Sequence, residues 1–433
     1  MSRPTPQLVR GIGAVAGAFL VLNGMIGAGI FALPSAVAER AGVLSPWLFL
    51  AAGLMIITVV LALAELASYF RDSGGPVLYA TEAFGPLAGF STGWIYYISR
   101  AAAVAANMHV MALYLGAVWP WFDTPPGHAA VVVAVSVGLT AVNILGVKGG
   151  VSALSVFTYL KVIPLVLLVL IGMRSVGPDV LFPAAIPTID DLGGTILLLI
   201  YAFVGFEQVL ITAGETTRPR RTIPQALVRT VVVTAVFYFL IMLVYVGVLG
   251  DEVGNGGTLV DIGRQLAGPA GAVAITLTAV FSIGGNLSGT TLAVPRLTLS
   301  LAEKRLLPGW FGMLHPRYAS PANSILFFGG LAIALGLSGS FVILAVASSL
   351  TRLITFMICI ASLPRIRAQA SEEDRRTAFR LRGGYAIPLV ALVVCAWMAS
   401  HSSLRDWLYF GGLFVVGLAL YLLETRVLRR NAG

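Results

Sequence analysis

The chain alternates long apolar runs with short polar or charged segments. Twelve runs can be drawn, roughly residues 12–38, 46–70, 86–118, 128–147, 152–173, 193–214, 226–250, 268–302, 321–339, 340–363, 384–400 and 406–428. About 20 apolar residues in a helix cross the hydrocarbon of a bilayer, so the pattern predicts an all-α integral membrane protein of twelve transmembrane helices. Two runs are interrupted. The first holds Gly24-Met25-Ile26-Gly27-Ala28-Gly29-Ile30-Phe31, preceded by Asn23 and followed by Pro34. Each glycine costs roughly 1 kcal/mol relative to alanine inside a helix, and in return gives backbone that can unwind. The sixth run holds Tyr201-Ala202-Phe203-Val204-Gly205-Phe206-Glu207-Gln208, with a glycine and a carboxylate at about mid-depth. Bare backbone in hydrocarbon is tolerated only where protein, water or a ligand satisfies it, so both places are candidate binding sites.

Five spans separate the starts of the first and sixth helices, so the two run in opposite senses. Broken helices at corresponding places in two antiparallel halves predict a 5+5 inverted-repeat fold, with repeats of about 12–173 and 193–363. The expected organisation is a core over 1–383, followed by two peripheral transmembrane helices and a tail over 384–433. No literal sequence identity between the halves supports this; position and hydropathy carry it.

Composition agrees: 58% of the 433 residues are apolar and 11% charged, against about 25% charged in average soluble domains. No separate soluble domain of useful size is expected. Ser2–Arg10 is polar, but the apolar run after it is too long for a cleavable signal peptide and lacks a clear cleavage site. Cys359 and Cys395 lie inside apolar runs and read as inert thiols. The formal charge of +9 is explained by topology and needs no nucleic acid. With the N-terminus inside, the outer segments carry only Arg40, Arg174, Arg264 and Arg405, and Arg100, Lys161 and Arg352 fall within spans. The other basic residues are cytoplasmic, as the positive-inside rule requires. Twelve spans return the C-terminus to the cytoplasm, and the expected location is the plasma or inner membrane.

The chemistry lies in a few polar residues within the spans. Glu207 reads either as a proton-coupling acid or partner of a cationic group, or as a structural acid paired with a basic neighbour. Lys161 lies nine residues into the fifth span, about 13 Å deep, too deep for easy snorkelling to water. Arg100 and Arg352 are also near mid-depth. Three buried cations against one buried carboxylate leave a partner unidentified: helix-end carbonyls, water or the substrate's carboxylate. A net positive cavity would disfavour polyamines. Asn107 either lines a site or bridges helices. His109 reads as a packing histidine, and the Ser and Thr groups of spans 8 and 10 as bonded to their own helices.

Several of these stretches resemble one family. Gly27-Ala28-Gly29-Ile30-Phe31-Ala32-Leu33-Pro34 resembles the first-helix signature of the amino acid–polyamine–organocation transporters, and Glu65-Leu66 with Gly74-Gly75 resembles their second helix and loop. Phe203-Val204-Gly205-Phe206-Glu207, followed by Glu215-Thr216-Thr217-Arg218-Pro219 and Ile223-Pro224, resembles the sixth helix and its loop. Lys161 resembles a fifth-helix lysine of several branches. The likeness covers spans 1 to 10. It implies alternating access around a midplane site, with the substrate carboxylate on N–H groups at Ala28 and Gly29. The amine would take carbonyls near Met25, Tyr201 and Val204, and Asn107, Tyr201 and Thr290 would face the substrate side chain. Ile26, Gly27 and Ala202 complete the expected binding set. Lys161, Glu207, Arg100, Arg352 and Phe206 are the expected coupling or gating positions. Physics agrees: a half-helix N-terminus favours a carboxylate, and free carbonyls at the end of the other half-helix suit an ammonium. The arginine–agmatine exchangers share Asn107 and Glu207 but carry a large aromatic residue where Thr290 stands here.

The expected function is therefore secondary transport of small to medium neutral amino acids, by proton symport or sodium-independent exchange. A basic amino acid or polyamine antiporter is the alternative. A membrane enzyme would need clustered His, Cys or carboxylates, and a channel would need rings of charge or carbonyls; neither pattern occurs. No nucleotide-binding glycine loop is present. No cofactor or metal is expected. The partners are an amino acid, protons as a candidate coupling ion, and the lipid bilayer; the oligomeric state is left open.

Overall fold

The computed structural model describes residues 13–70, 74–145, 151–182, 190–211, 216, 218–381 and 383–431. Glu215 and Thr217 of the loop motif lie outside the described residues, as do Ser2–Arg10. Helices α1 (Ala14–Met25) and α2 (Gly29–Ala41) share the first apolar run, and α3 (Ser45–Ser68) takes the second. After α4 (Gly75–Phe84) come α5 (Pro86–Gly116), α6 (Pro125–Leu145), α7 (Val151–Gly172) and the one-turn α8 (Pro178–Leu181). The sixth run is divided between α9 (Leu192–Phe203) and α10 (Gln208–Ile211). Helices α11 (Pro219–Leu249), α12 (Leu259–Ala293), α13 (Pro295–Glu303) and α14 (Ala322–Ser338) follow. The described chain ends with α15 (Phe341–Gln369), α16 (Glu372–Thr377), α17 (Ala386–Ser400) and α18 (Leu404–Asn431).

Among the described residues, eight helical stretches are long and apolar enough to cross a bilayer, and α9, α14 and α17 are shorter apolar helices. The protein is all-helical in its regular structure. Proline in the first turn opens α3, α4, α5, α8, α11 and α13, where its missing N–H costs nothing and its fixed φ suits the helix. Two features lie between the runs. Gly74 and Gly75, with φ of +148° and +51°, lead into the ten-residue helix α4, which no apolar run included. The eighth run starts where the pattern drew it: α12 is broken by non-helical geometry at Ala267 and Gly268, just before Pro269, and a short helical segment from Leu259 precedes the break, because proline disfavours helical geometry in the residue preceding it.

The longest packing runs join α3 to α11 and α5 to α15. Small residues let the backbones close up: a Cβ added at Gly53 on α3 would stand 2.6 Å from that of Ala235 on α11. Helix α18 packs on α5 and α15, with Trp94 Nε1 donating to Leu413 O at 2.9 Å. Its apolar window is only 6% buried, so its outer face meets lipid. At the centre, α1, α2, α5, α9, α12 and α15 surround the two interruptions.

Candidate functional site

At the first interruption, α1 stops at Met25 and α2 restarts at Gly29. Four carbonyls around the gap are met by side chains from three other helices. Gly24 O accepts from Asn286 Nδ2 at 3.1 Å, and Met25 O accepts from Tyr238 Oη at 3.0 Å. Ile26 O accepts from Lys161 Nζ at 2.8 Å and from Ser282 Oγ at 3.0 Å. Asn23 O takes a second, longer contact from Lys161 at 3.3 Å. Lys161 is fully buried, so its ammonium ties α7 to the unwound segment.

At the second interruption, Val204 is extended and Gly205 adopts φ +111°. That left-handed geometry favours glycine. Space demands glycine too. A Cβ at Gly205 would stand 2.2 Å from Gly24 O, and one at Gly24 would stand 2.4 Å from Gly205 O. Lower down the same seam, a Cβ at Gly29 would lie 2.6 Å from Ala202 Cα. Two of the glycines in the first motif therefore admit the second broken helix. Glu207 folds back so that Oε2 accepts from Gly205 N at 2.9 Å.

The other carboxylate oxygen carries the charge balance. Glu207 Oε1 accepts from Arg352 Nη1 at 2.8 Å and lies 3.9 Å from Arg100 Nη1. All three side chains are buried. Arg352 Nε also donates to Ser99 Oγ at 3.1 Å, and Arg100 Nη2 donates to Thr290 Oγ1. This answers the missing-partner problem left by the sequence: one acid serves both arginines, with hydroxyls satisfying further N–H groups. Two guanidinium donors remain buried without a protein partner, Arg100 Nε and Arg352 Nη2. Glu65 is as buried as Glu207, so Glu207 is not alone among carboxylates in the interior. Glu65 lies near the end of α3 and receives Arg367 Nε and Nη2, each at 2.8 Å, and Leu381 N at 3.0 Å.

A narrow cavity of about 20 Å³, room for little more than one water molecule, lies between the breaks. Of the expected binding set, Met25, Gly27, Ala28, Gly29, Asn107, Tyr201 and Val204 line it, joined by Arg100 and Arg352. Ile26, Ala202 and Thr290 do not line it. Ile26 is engaged by Lys161, Ala202 packs on Gly29, and Thr290 sits behind Arg100. Phe206 also lies outside, stacked on Phe356 with ring centres 5.3 Å apart, and neither Lys161 nor Glu207 lines the cavity. Asn286 lines the cavity and was missed from sequence, where it stood among Ser and Thr residues that bond their own helix. Tyr201 Oη donates to Asn107 Oδ1 at 2.5 Å, Asn107 Nδ2 to Asn286 Oδ1 at 3.1 Å, and Asn286 to Gly24 O. This relay joins α9, α5, α12 and α1, so Asn107 both lines the cavity and bridges helices. His109 lies 2.8 Å from Gly336 O, in a packing contact.

Chemically, the N-terminal residue of α2, the arginines Arg100 and Arg352, and Tyr201 and Val204 at the carbonyl end of α9 meet at this cavity. Two arginines against one glutamate give its wall a net positive charge. Among the described residues no three His, Cys, Asp or Glu side chains cluster as metal ligands would.

A helical membrane protein with two broken helices meeting at a buried polar cavity has the form of a permease. The amino acid permease family model matches residues 12–403, and the chain belongs to that family. It is 29% identical to an uncharacterized transporter of Mycobacterium tuberculosis, over 98% of this chain and 93% of that one. It is 26% identical to the serine/threonine exchanger of Bacillus subtilis, over 95% of each. It is 25% identical to the methylthioribose transporter of the same organism, over 97% of this chain and 94% of that one. The protein is a transporter and not an enzyme.

Proposed function

We propose that this permease carries small to medium neutral α-amino acids across the plasma or inner membrane by alternating access. The proposed frame is twelve spans in a five-plus-five inverted repeat, with both termini in the cytoplasm. One observation carries the substrate reading. The N-terminal end of α2 and the carbonyl end of α9 face one cavity, so donors for a carboxylate and acceptors for an ammonium lie side by side. Arg100 and Arg352 also line the cavity, and their positive charge disfavours diamines and polyamines. The similarity to a serine/threonine exchanger supports a small polar or neutral side chain.

Coupling rests on Lys161 and Glu207. Lys161 holds the unwound segment with its own charge, which favours sodium-independent transport. Purified protein in liposomes, assayed with labelled serine, threonine and alanine, tests the reading. Uptake should need either an inward proton gradient or internal amino acid, and putrescine should not compete. Strong competition by putrescine without competition by neutral amino acids would overturn the substrate class, and absence of flux for every amino acid would overturn the transport reading.

A further inference from the structure

A second polar cavity lies far from the central one, on the outer face of the helix pair α3–α11. Its volume is about 400 Å³, within the range of ordinary small-molecule sites. The walls are Arg221, Gln225 and Arg229 on α11, Leu61 on α3, and Phe379 from the segment after α16. No acidic residue lines it. Arg220, also in its wall, is already engaged, by Asp374 and by Thr377 Oγ1. Neither Arg221 nor Arg229 has an acidic partner among the described residues.

The spacing along α11 indicates the occupant. Arg221, Gln225 and Arg229 recur every four residues and are exposed, so they form one stripe about 12 Å long. The stripe continues on the same face into Val232, Val233 and Val236, which are 41%, 62% and 47% exposed. A face that changes from arginine to exposed valine within one helix matches the interface of a bilayer, with the valines against acyl chains. A soluble anion would use the arginines and gain nothing from the valines. We propose that this cavity binds the phosphate head group of an anionic phospholipid, clamped between Arg221 and Arg229, with its acyl chains along Val232, Val233 and Val236. The arginines supply charge-assisted hydrogen bonds to phosphate oxygens. Gln225 between them adds an amide donor, and Leu61 and Phe379 cover the glycerol. The site is independent of the transported substrate and lies outside the transport cavity.

Native mass spectrometry of the full chain, released from detergent with phosphatidylglycerol or phosphatidylcholine of identical acyl chains, tests this. The wild-type protein should retain phosphatidylglycerol in preference, and Arg221→Gln/Arg229→Gln should bind it on the order of tenfold more weakly. Gln225→Glu keeps both arginines but sets a carboxylate between them; it should show the same loss, and serves if the double variant does not fold. Equal retention by wild type and variants overturns the proposal. An equal loss in Arg317→Gln, a cation elsewhere on the surface, overturns it as well. Displacement of the lipid by millimolar inorganic phosphate would mean that the cavity takes a soluble anion and would likewise overturn the lipid assignment.

Discussion

Glu207 holds two arginines, and its replacement by glutamine isolates what that arrangement contributes. Glutamine keeps the size and can still accept from Gly205 N, but removes the charge. The contact to Arg352 is 2.8 Å with both side chains fully buried, and Arg100 stands at 3.9 Å. At an effective dielectric of about 20, unit charges about 4 Å apart attract by roughly 4 kcal/mol. Removing one partner of a buried pair typically costs about 3–5 kcal/mol, because the remaining charge stays buried. Glu207→Gln should therefore destabilise the protein by about 3–5 kcal/mol, and Arg352→Gln by a similar amount. In Glu207→Gln/Arg352→Gln, Arg352 no longer needs a counter-ion, so the double loss should fall short of the sum by about 2 kcal/mol. Reversible unfolding in mixed micelles measures all four corners of the cycle. Additivity within about 0.5 kcal/mol would falsify the claim that this carboxylate stabilises the fold through its arginines.

Four further outcomes are expected. Gly205→Ala should abolish uptake and cost about 3 kcal/mol or more, since its Cβ would meet Gly24 O at 2.2 Å; Gly289→Ala, with nothing within 4 Å, should unfold and transport like wild type. Lys161→Met leaves Asn23 O without this donor and Ile26 O with Ser282 Oγ alone; initial-rate uptake should fall by roughly tenfold or more while size-exclusion chromatography shows folded protein, and unchanged uptake would refute the tether. Asn286→Ala breaks the relay between Asn107 and Gly24 O, so KM for the preferred amino acid should rise by about tenfold in concentration-dependent uptake. Arg367→Gln leaves Glu65 buried without its bidentate partner; thermal unfolding should show a loss of about 3 kcal/mol, and ligand-induced stabilisation should persist because the central cavity is untouched.

The apolar runs were legible because bilayer thickness dictates their length, and the two breaks were legible because glycine is a poor choice inside a helix. The partners of Arg100 and Arg352 were not legible. Ser99 and Thr290 come from α5 and α12 and Glu207 from the non-helical link between α9 and α10, and a single sequence carries no signal of which side chains a fold brings together. Asn286 was overlooked because its neighbours Ser288 and Thr291 do bond their own backbone, and it was grouped with them. Helix α4 was hidden because two glycines and a proline describe a turn as well as a helix start. The burial of Glu65 was equally out of reach, since a carboxylate near a helix end usually finds water.

The contact between Gly24 and Gly205 has a consequence for how this protein can change over generations. Most tight contacts in a protein interior are between side chains, so a larger residue on one side can be offset by a smaller one on the other. Here each glycine faces the main chain of the other, at 2.4 Å and 2.2 Å from an added Cβ. Neither has a side chain left to shrink. A substitution at one position has no compensating substitution at its partner, so the pair is expected to drift little. Suppressor selection on Gly24→Ala should yield changes that move an entire helix, or reversion, and none at residue 205.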